Sequence, residues 1–247
     1  MRWGPAAADD GVVERPFWVP SGDRTVPGLL WTPVRAVGPR PLVLVGHGAS
    51  GSKREGYVVT LARQLVRSRG YAAAAIDGPV HGERRPDADA PPMLVLLEFS
   101  QLWAADPTMT DRMVADWRAT IDALECLEGI GPGPVGYWGL SMGTILGLPL
   151  AAADRRIGVA VLGLMGLTGP SRERIALDAP RIRCPLLFLV QWDDEMFERQ
   201  AAGALFDLFG SADKRLHAYP GRHGQVPDEA FAASEAFLAR QLEVGVP

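Results

Sequence analysis

Val135-Gly136-Tyr137-Trp138-Gly139-Leu140-Ser141-Met142-Gly143-Thr144-Ile145-Leu146 is the stretch on which the reading of this chain turns. The strand-like run Val135–Trp138 leads into Gly-x-Ser-x-Gly, and the helix-like run Thr144–Leu146 leads out of it. As a string the pentapeptide is a weak signal. Between a strand and a helix it is a strong one, because a sharp turn there lifts the Ser141 hydroxyl clear of a sheet. Gly139 and Gly143 then stand where side chains would collide with neighbouring backbone.

Outward from this turn, the chain alternates strand-like and helix-like patterns from Pro41 onward. Leu42–Val45, ended by Gly46, is a short apolar run of the kind a doubly buried strand shows. In Glu55–Arg69, Val58, Leu61, Ala62, Leu65 and Val66 form one helical face that Gly70 closes. Ala72–Ile76, Val159–Leu164, Leu186–Val190 and Arg215–Tyr219 read as further strands. Asp111–Glu128, Met142–Ala153, Arg199–Phe209 and Asp228–Leu242 read as helices, with Thr110 as an N-cap and Gly129 as a stop for the first. Phe17–Val19 and Leu29–Trp31 flank a Ser21-Gly22-Asp23 turn and predict an antiparallel hairpin.

Short connections between alternating strands and helices predict an α/β fold: a mainly parallel central sheet with helices on both faces. A single domain over residues 1–247 is expected, with 1–15 irregular. Pro91–Pro107, bracketed by prolines yet holding Met93–Leu97 and Phe99, is expected to be a short cap excursion over the sheet.

Composition narrows the function classes. The 247 residues carry 25 Lys and Arg against 29 Asp and Glu, a formal net charge of −4 with no basic block. That balance argues against nucleic acid or an anionic membrane as partner. With 47% hydrophobic and 22% charged residues, the chain is globular rather than disordered. Cys126 and Cys184 are expected to be buried free thiols, and no Cys or His spacing predicts a metal or other cofactor. Met1–Asp10 lacks an apolar targeting segment, and the apolar runs Leu140–Ala153 and Ile157–Leu167 fall short of the ~18 residues of a membrane span. A cytoplasmic monomer or homodimer is the expectation.

A serine nucleophile needs a base and a carboxylate that orients the base. The chain has four histidines, and only His217 and His223 follow Ser141. His217 sits inside a strand-like run, whereas His223 follows Pro220-Gly221-Arg222 in a loop at the expected C-terminal sheet edge, which favours His223. The run Leu186–Val190 ends in Gln191-Trp192-Asp193-Asp194-Glu195, three adjacent carboxylates among which composition does not choose. A tetrahedral oxyanion also needs two backbone donors. Met142 N–H, at the positive end of a helix, is one. Ala49 N–H, in Gly46-His47-Gly48-Ala49-Ser50, is the other, with His47 expected to brace that loop.

From residue 17 onward this pattern resembles the α/β-hydrolase family, on His47-Gly48-Ala49, Gly139-Leu140-Ser141-Met142-Gly143, and Asp194 followed by His223. Asp77-Gly78-Pro79-Val80-His81-Gly82-Glu83 is similar to that family's Asp-x-x-Gly-His-Gly turn, with Val80 where glycine is usual. The resemblance implies that Asp77 and His81 shape this turn. It also favours Asp194 over Asp193 as the acid, since Phe197 fits the apolar residue that follows it. The size and small cap look most like the serine carboxylesterase and dienelactone-hydrolase-like branch. Dienelactone hydrolases proper use a cysteine, so Ser141 implies ordinary ester hydrolysis of a small-molecule substrate.

Two other readings stand beside it. Peptide or amide cleavage on this fold usually brings a propeller or a substantial cap. A binding module on the same fold would lose a member of the triad, and here all three are present. Met93, Leu97, Phe99 and Trp103, together with Leu94, either line a compact apolar pocket beside Ser141 or pack on the sheet. With so short a cover, short acyl esters are expected.

Overall fold

The computed structural model describes residues 1–35, 38–87 and 90–242; the last five residues of the expected domain lie outside these. Among the described residues, ten strands form one sheet. They are β1 (Arg2–Trp3), β2 (Ala7–Asp9), β3 (Val12–Ser21), β4 (Arg24–Pro33), β5 (Leu42–Gly46), β6 (Ala72–Ile76), β7 (Val135–Leu140), β8 (Ile157–Gly163), β9 (Leu186–Gln191) and β10 (Lys214–Tyr219). Their order is β1-β3-β4-β6-β5-β7-β8-β9-β10, with β2 also pairing β3. From β6 to β10 every pairing is parallel. The β3–β4 hairpin is antiparallel, as is its junction with β6.

Strand alternation sends Val43 and Val45 to one face and Leu42 and Leu44 to the other, and each face has its own apolar core. On the first face, α1 (Gly56–Arg69) and α7 (Asp228–Leu242) bury Val58, Leu61, Leu65 and Leu238. On the second lie α3 (Met109–Glu125), α4 (Met142–Ala153), α5 (Arg172–Asp178) and α6 (Arg199–Leu208), burying Trp117, Ile145, Ile175 and Leu205. α1 ends where Gly70 takes φ 67°, the left-handed conformation that glycine adopts without strain. The fold is therefore the expected α/β arrangement with an antiparallel N-terminal hairpin.

Several boundaries differ from the sequence reading. Residues 1–15 are not irregular: β1, β2 and the start of β3 occupy them, because this edge satisfies its backbone groups by antiparallel pairing. Thr110 lies inside α3 rather than at its cap. The chain enters that helix through an Asp106 turn, whose carboxylate accepts from Thr108 N–H (2.9 Å) and Thr108 Oγ1 (2.7 Å). At the other end α3 stops before Gly129, since Leu127 N–H bonds to Leu124 in a tighter turn. The cysteines are free as expected, but Cys126 at the C-cap of α3 is exposed, while burial pushes the Cys184 thiol up to about 11. No described helix is long and apolar enough to cross a membrane.

The segment expected as a cap excursion is a regular helix, α2 (Pro92–Ala105), started by proline and stopped at Asp106-Pro107. It buries Val95 and Phe99, one turn apart, and leaves Met93, Leu94 and Leu97 exposed.

One topological feature positions the site. The chain runs from β5 to β6 on one side of β5, then returns to place β7 on the other. Loops leaving the C-terminal ends of β5 and β7 therefore diverge, and the crevice between them is where open α/β sheets bind ligands.

Candidate active site

Ser141 sits between β7 and α4 with φ 56° and ψ −119°, a backbone conformation that non-glycine residues rarely adopt. The strain is tolerable because the surroundings fix it. Ser141 N–H bonds to Gly163 C=O (3.0 Å). Thr144 Oγ1 accepts from Gly163 N–H (2.8 Å) and lies 2.7 Å from the Gly163 carbonyl oxygen, tying the first turn of α4 to β8. A Cβ on Gly139 would meet the Gly143 carbonyl group at 2.9 Å, and one on Gly143 would meet Gly46 O at 3.0 Å. Both glycines of the pentapeptide are thus demanded by backbone packed on backbone.

The loop after β10 brings His223 to this serine. His223 Nε2 lies 2.9 Å from Ser141 Oγ, and its Nδ1 lies 2.9 Å from Asp194 Oδ2. A carboxylate only accepts, so Nδ1 carries the proton and Nε2 is left to receive that of Ser141. Asp194, on the loop after β9, has its other oxygen occupied by the N–H groups of Met196 (2.8 Å) and Phe197 (3.0 Å). Burial works to raise its pKa, but the hydrogen bonds from His223, Phe197 and Met196 prevail and hold it below the usual carboxylate range. Phe197 is buried, with its ring 5.7 Å from that of His223. Asp193 points to solvent, and His217 is exposed on β10.

Two residues to which the sequence assigned no role hold the histidine loop. Glu195, one of the three adjacent carboxylates, is exposed and accepts the backbone N–H of His223 at 2.9 Å, which keeps its carboxyl below the usual range. The buried Gln191 donates from Nε2 to Gln225 C=O (2.6 Å) and Arg222 C=O (3.3 Å). Glu195 had a visible signal in its place beside Asp194; Gln191, one more strand residue, had none.

His47 is fully buried and lies away from the serine. Its Nδ1 donates to Gly48 C=O and its Nε2 accepts Gly78 N–H, each at 2.8 Å, so it braces the loop after β5. Burial first, then the neighbouring His81, pushes it down to about 3, and it stays neutral. His81 is also lowered by burial, with its Nε2 2.9 Å from Ala49 O. Val80, where the resemblance called for glycine, has φ 58°, the left-handed conformation that explains why glycine is usual.

Ala49 closes the other side of the crevice, and Met142 occupies the first position of α4, where a helix leaves its N–H unpaired. The Met142 side chain is buried in the core, so what it offers the site is backbone. Between Ser141, His223 and Ala49 opens a cavity of about 310 Å³, walled by Tyr57, Trp138, Leu140, Leu164, Val226 and Phe231.

This wall corrects the expected pocket. None of Met93, Leu97, Phe99 and Trp103 lines the cavity; α2 contributes Leu96 alone. A helix turns about 100° per residue, so its apolar residues cannot all face one side. Phe99 packs against His81 and stacks on Trp103, whose Nε1 donates to Ser171 Oγ, while Met93 and Leu97 turn to solvent. The cavity opens instead on the α1 and α7 face.

Fold and site together define an α/β hydrolase. The sequence profile of the dienelactone hydrolase family matches residues 26–241, and the chain belongs to that family. A PEG-bound complex of a cold-adapted esterase from an Arctic intertidal metagenomic library has 42% identity and a TM-score of 0.87, covering 98% of this chain and 100% of that one. An acetyl xylan esterase from Paenibacillus sp. R4 shares the fold at 17% identity and a TM-score of 0.72, over 99% of this chain and 88% of its own. The putative hydrolase YtaP of Bacillus subtilis (strain 168) is 26% identical over 163 residues, 62% of this chain. That match spans 52% of YtaP, so the chain covers about half the length of this curated relative.

The neutral His47 makes a stability prediction. The unfolded chain binds a proton at this residue below about 6.5, and the folded chain only near 3. Between those values the unfolded state holds more protons, so stability falls as pH falls, by up to about 1.4 kcal/mol per pH unit for such a group. Urea unfolding between pH 7 and 4 should show this loss, with a shallower slope in His47→Gln. Equal slopes would contradict the bracing role.

Proposed function

We propose that this chain hydrolyses carboxylic esters of short acyl chains through an acyl-enzyme, with Ser141 as nucleophile, His223 as base and Asp194 as acid. The observation that carries the reading is the unbroken chain of 2.9 Å contacts from Asp194 through His223 to Ser141. Family membership and the esterase relative at 42% identity support ester rather than amide chemistry.

Ser141 Oγ attacks the ester carbonyl carbon as its proton passes to His223 Nε2, and Asp194 stabilises the imidazolium formed. The carbonyl oxygen becomes an oxyanion that accepts from Ala49 N–H and Met142 N–H, fixed donors that need no reorganisation. Collapse breaks the bond to the alcohol oxygen, which takes the proton from His223 and leaves. A water then gives its proton to His223 and attacks the acyl-Ser141 carbonyl. The second collapse returns the proton to Ser141 and releases the carboxylic acid. No cofactor enters these steps. The substrate is a small-molecule ester, not a nucleic acid or a membrane, and the enzyme works as a monomer or homodimer.

Ser141→Ala should stay folded, because the turn rests on Gly139 and Gly143, and should lose at least about three orders of magnitude in kcat. Asp194→Asn should lose far more activity than Asp193→Asn, since only Asp194 reaches the imidazole. Steady-state assays with an activated ester decide both. A tenth of wild-type turnover left in Ser141→Ala, or equal losses at the two aspartates, would refute the assignment.

The cavity sets the chain-length expectation. Each methylene that cannot enter it stays in water and forfeits about 0.8 kcal/mol of burial. Across a series of p-nitrophenyl esters, kcat/KM should peak between roughly C2 and C6, with no jump at a lipid–water interface. A peak at C12 or beyond would overturn this.

A further inference from the structure

Two tyrosine hydroxyls grip the backbone on either side of the crevice, one from each face of the sheet. Tyr57, from α1, accepts the Gly48 N–H at 2.6 Å. The Gly48 carbonyl is held in turn by His47 Nδ1 at 2.8 Å. The peptide unit that carries Ala49 N–H is therefore anchored at its carbonyl, and the glycine before it at its N–H. On the opposite face, Tyr137 of β7 donates to Gly143 C=O at 2.7 Å, one residue beyond Met142.

The space around Tyr137 is cleared for it. A Cβ on Gly147 would come within 2.0 Å of its ring, one on Gly46 within 2.4 Å of its hydroxyl, and one on Gly139 within 2.9 Å of its ring. The ring is fully buried, with its edge against Trp117 of α3. A phenylalanine would fill the same volume, so packing alone does not call for the hydroxyl. Burial raises both phenols, Tyr57 to about 12, so both stay protonated and neutral in the working pH range.

We propose that Tyr57 and Tyr137 are positioning residues that set the two arms of the oxyanion site, Tyr57 fixing Ala49 N–H through Gly48 and Tyr137 fixing Met142 N–H through Gly143. This rests on the ester-hydrolase reading above. Misplaced donors weaken binding of the oxyanion, which exists only in the transition state, and leave ground-state binding intact. The phenols touch no reacting atom.

The test compares Tyr57→Phe and Tyr137→Phe with wild type on a butanoate ester, with rates expressed per folded molecule from unfolding curves. Inhibition by butaneboronic acid, which forms a tetrahedral adduct on the serine, is measured in parallel. Each variant should lose about tenfold in kcat with KM within twofold, and boronate affinity should fall in step. A kcat within twofold of wild type overturns the proposal. So does a rise in KM with kcat and boronate affinity unchanged, which marks Tyr57 as a wall of the cavity and no more. Should Tyr137→Phe fail to fold, Tyr57→Phe decides alone. Ser141→Ala, run alongside, separates the two levels. If it is inactive while the tyrosine variants match wild type, the clamp alone falls; if it retains hydrolysis, the oxyanion site and the clamp fall together.

Discussion

The direct approach of α4 to the end of β5 is the constraint on which the rest of the site depends. Where Gly143 passes Gly46, a Cβ would stand 3.0 Å from the Gly46 carbonyl oxygen, so the helix start rests on bare strand backbone. Beside that contact Ser141 keeps its positive φ of 56° and presents its hydroxyl to His223. The same contact sets the first free N–H of α4 beside the loop leaving β5, because Gly46 and Gly139 are register partners in adjacent parallel strands. A larger residue at 143 would part these strands from the helix and lose the posture of Ser141 and the placement of the Met142 N–H together.

The loops around the serine are held by buried polar groups rather than by apolar packing. Lys53, 2% exposed, bonds to Asp77 Oδ2 at 2.5 Å and to Glu83 Oε1 at 2.7 Å. Asp77 also accepts the N–H groups of Lys53 (3.0 Å) and Glu83 (2.9 Å), so the loop after β5 and the turn after β6 share one carboxylate. A buried charge is tolerable only when paired and hydrogen-bonded in this way, and removing one partner strands the other. His47, from the loop after β5, and His81, from the turn after β6, complete the brace by bonding across to each other's segment. Asp77 and His81 thus have the structural role that the resemblance implied.

The parallel strands and their helices were legible because each strand of the sheet centre is a short apolar run bounded by turn residues. α4 and α7 begin and end at the residues the sequence pattern marked. Ser141 and Asp194 were legible because each stands just beyond such a strand, and His223 because it follows Pro220-Gly221-Arg222 in the loop after the edge strand β10. What escaped depended on rotation or on long-range pairing. Residues 1–15 carry no apolar alternation, yet they pair because β3 offers an edge. The apolar residues of α2 suggested a pocket, and the phase of the helix turned them into the core or out to solvent. The true wall comes from Tyr57, Trp138 and Phe231, which lie far apart in sequence and meet only when α1 and α7 close on β7. Their aromatic character was visible, but not their meeting.

The central claim is that Ser141, activated through His223, carries the acyl group. Mass spectrometry of the protein treated with a fluorophosphonate, with the adduct mapped by peptide, tests it most directly. The account predicts one adduct per chain, on Ser141, absent after heat denaturation and absent in His223→Ala. An adduct on another residue, or undiminished labelling of Ser141 without His223, would contradict it.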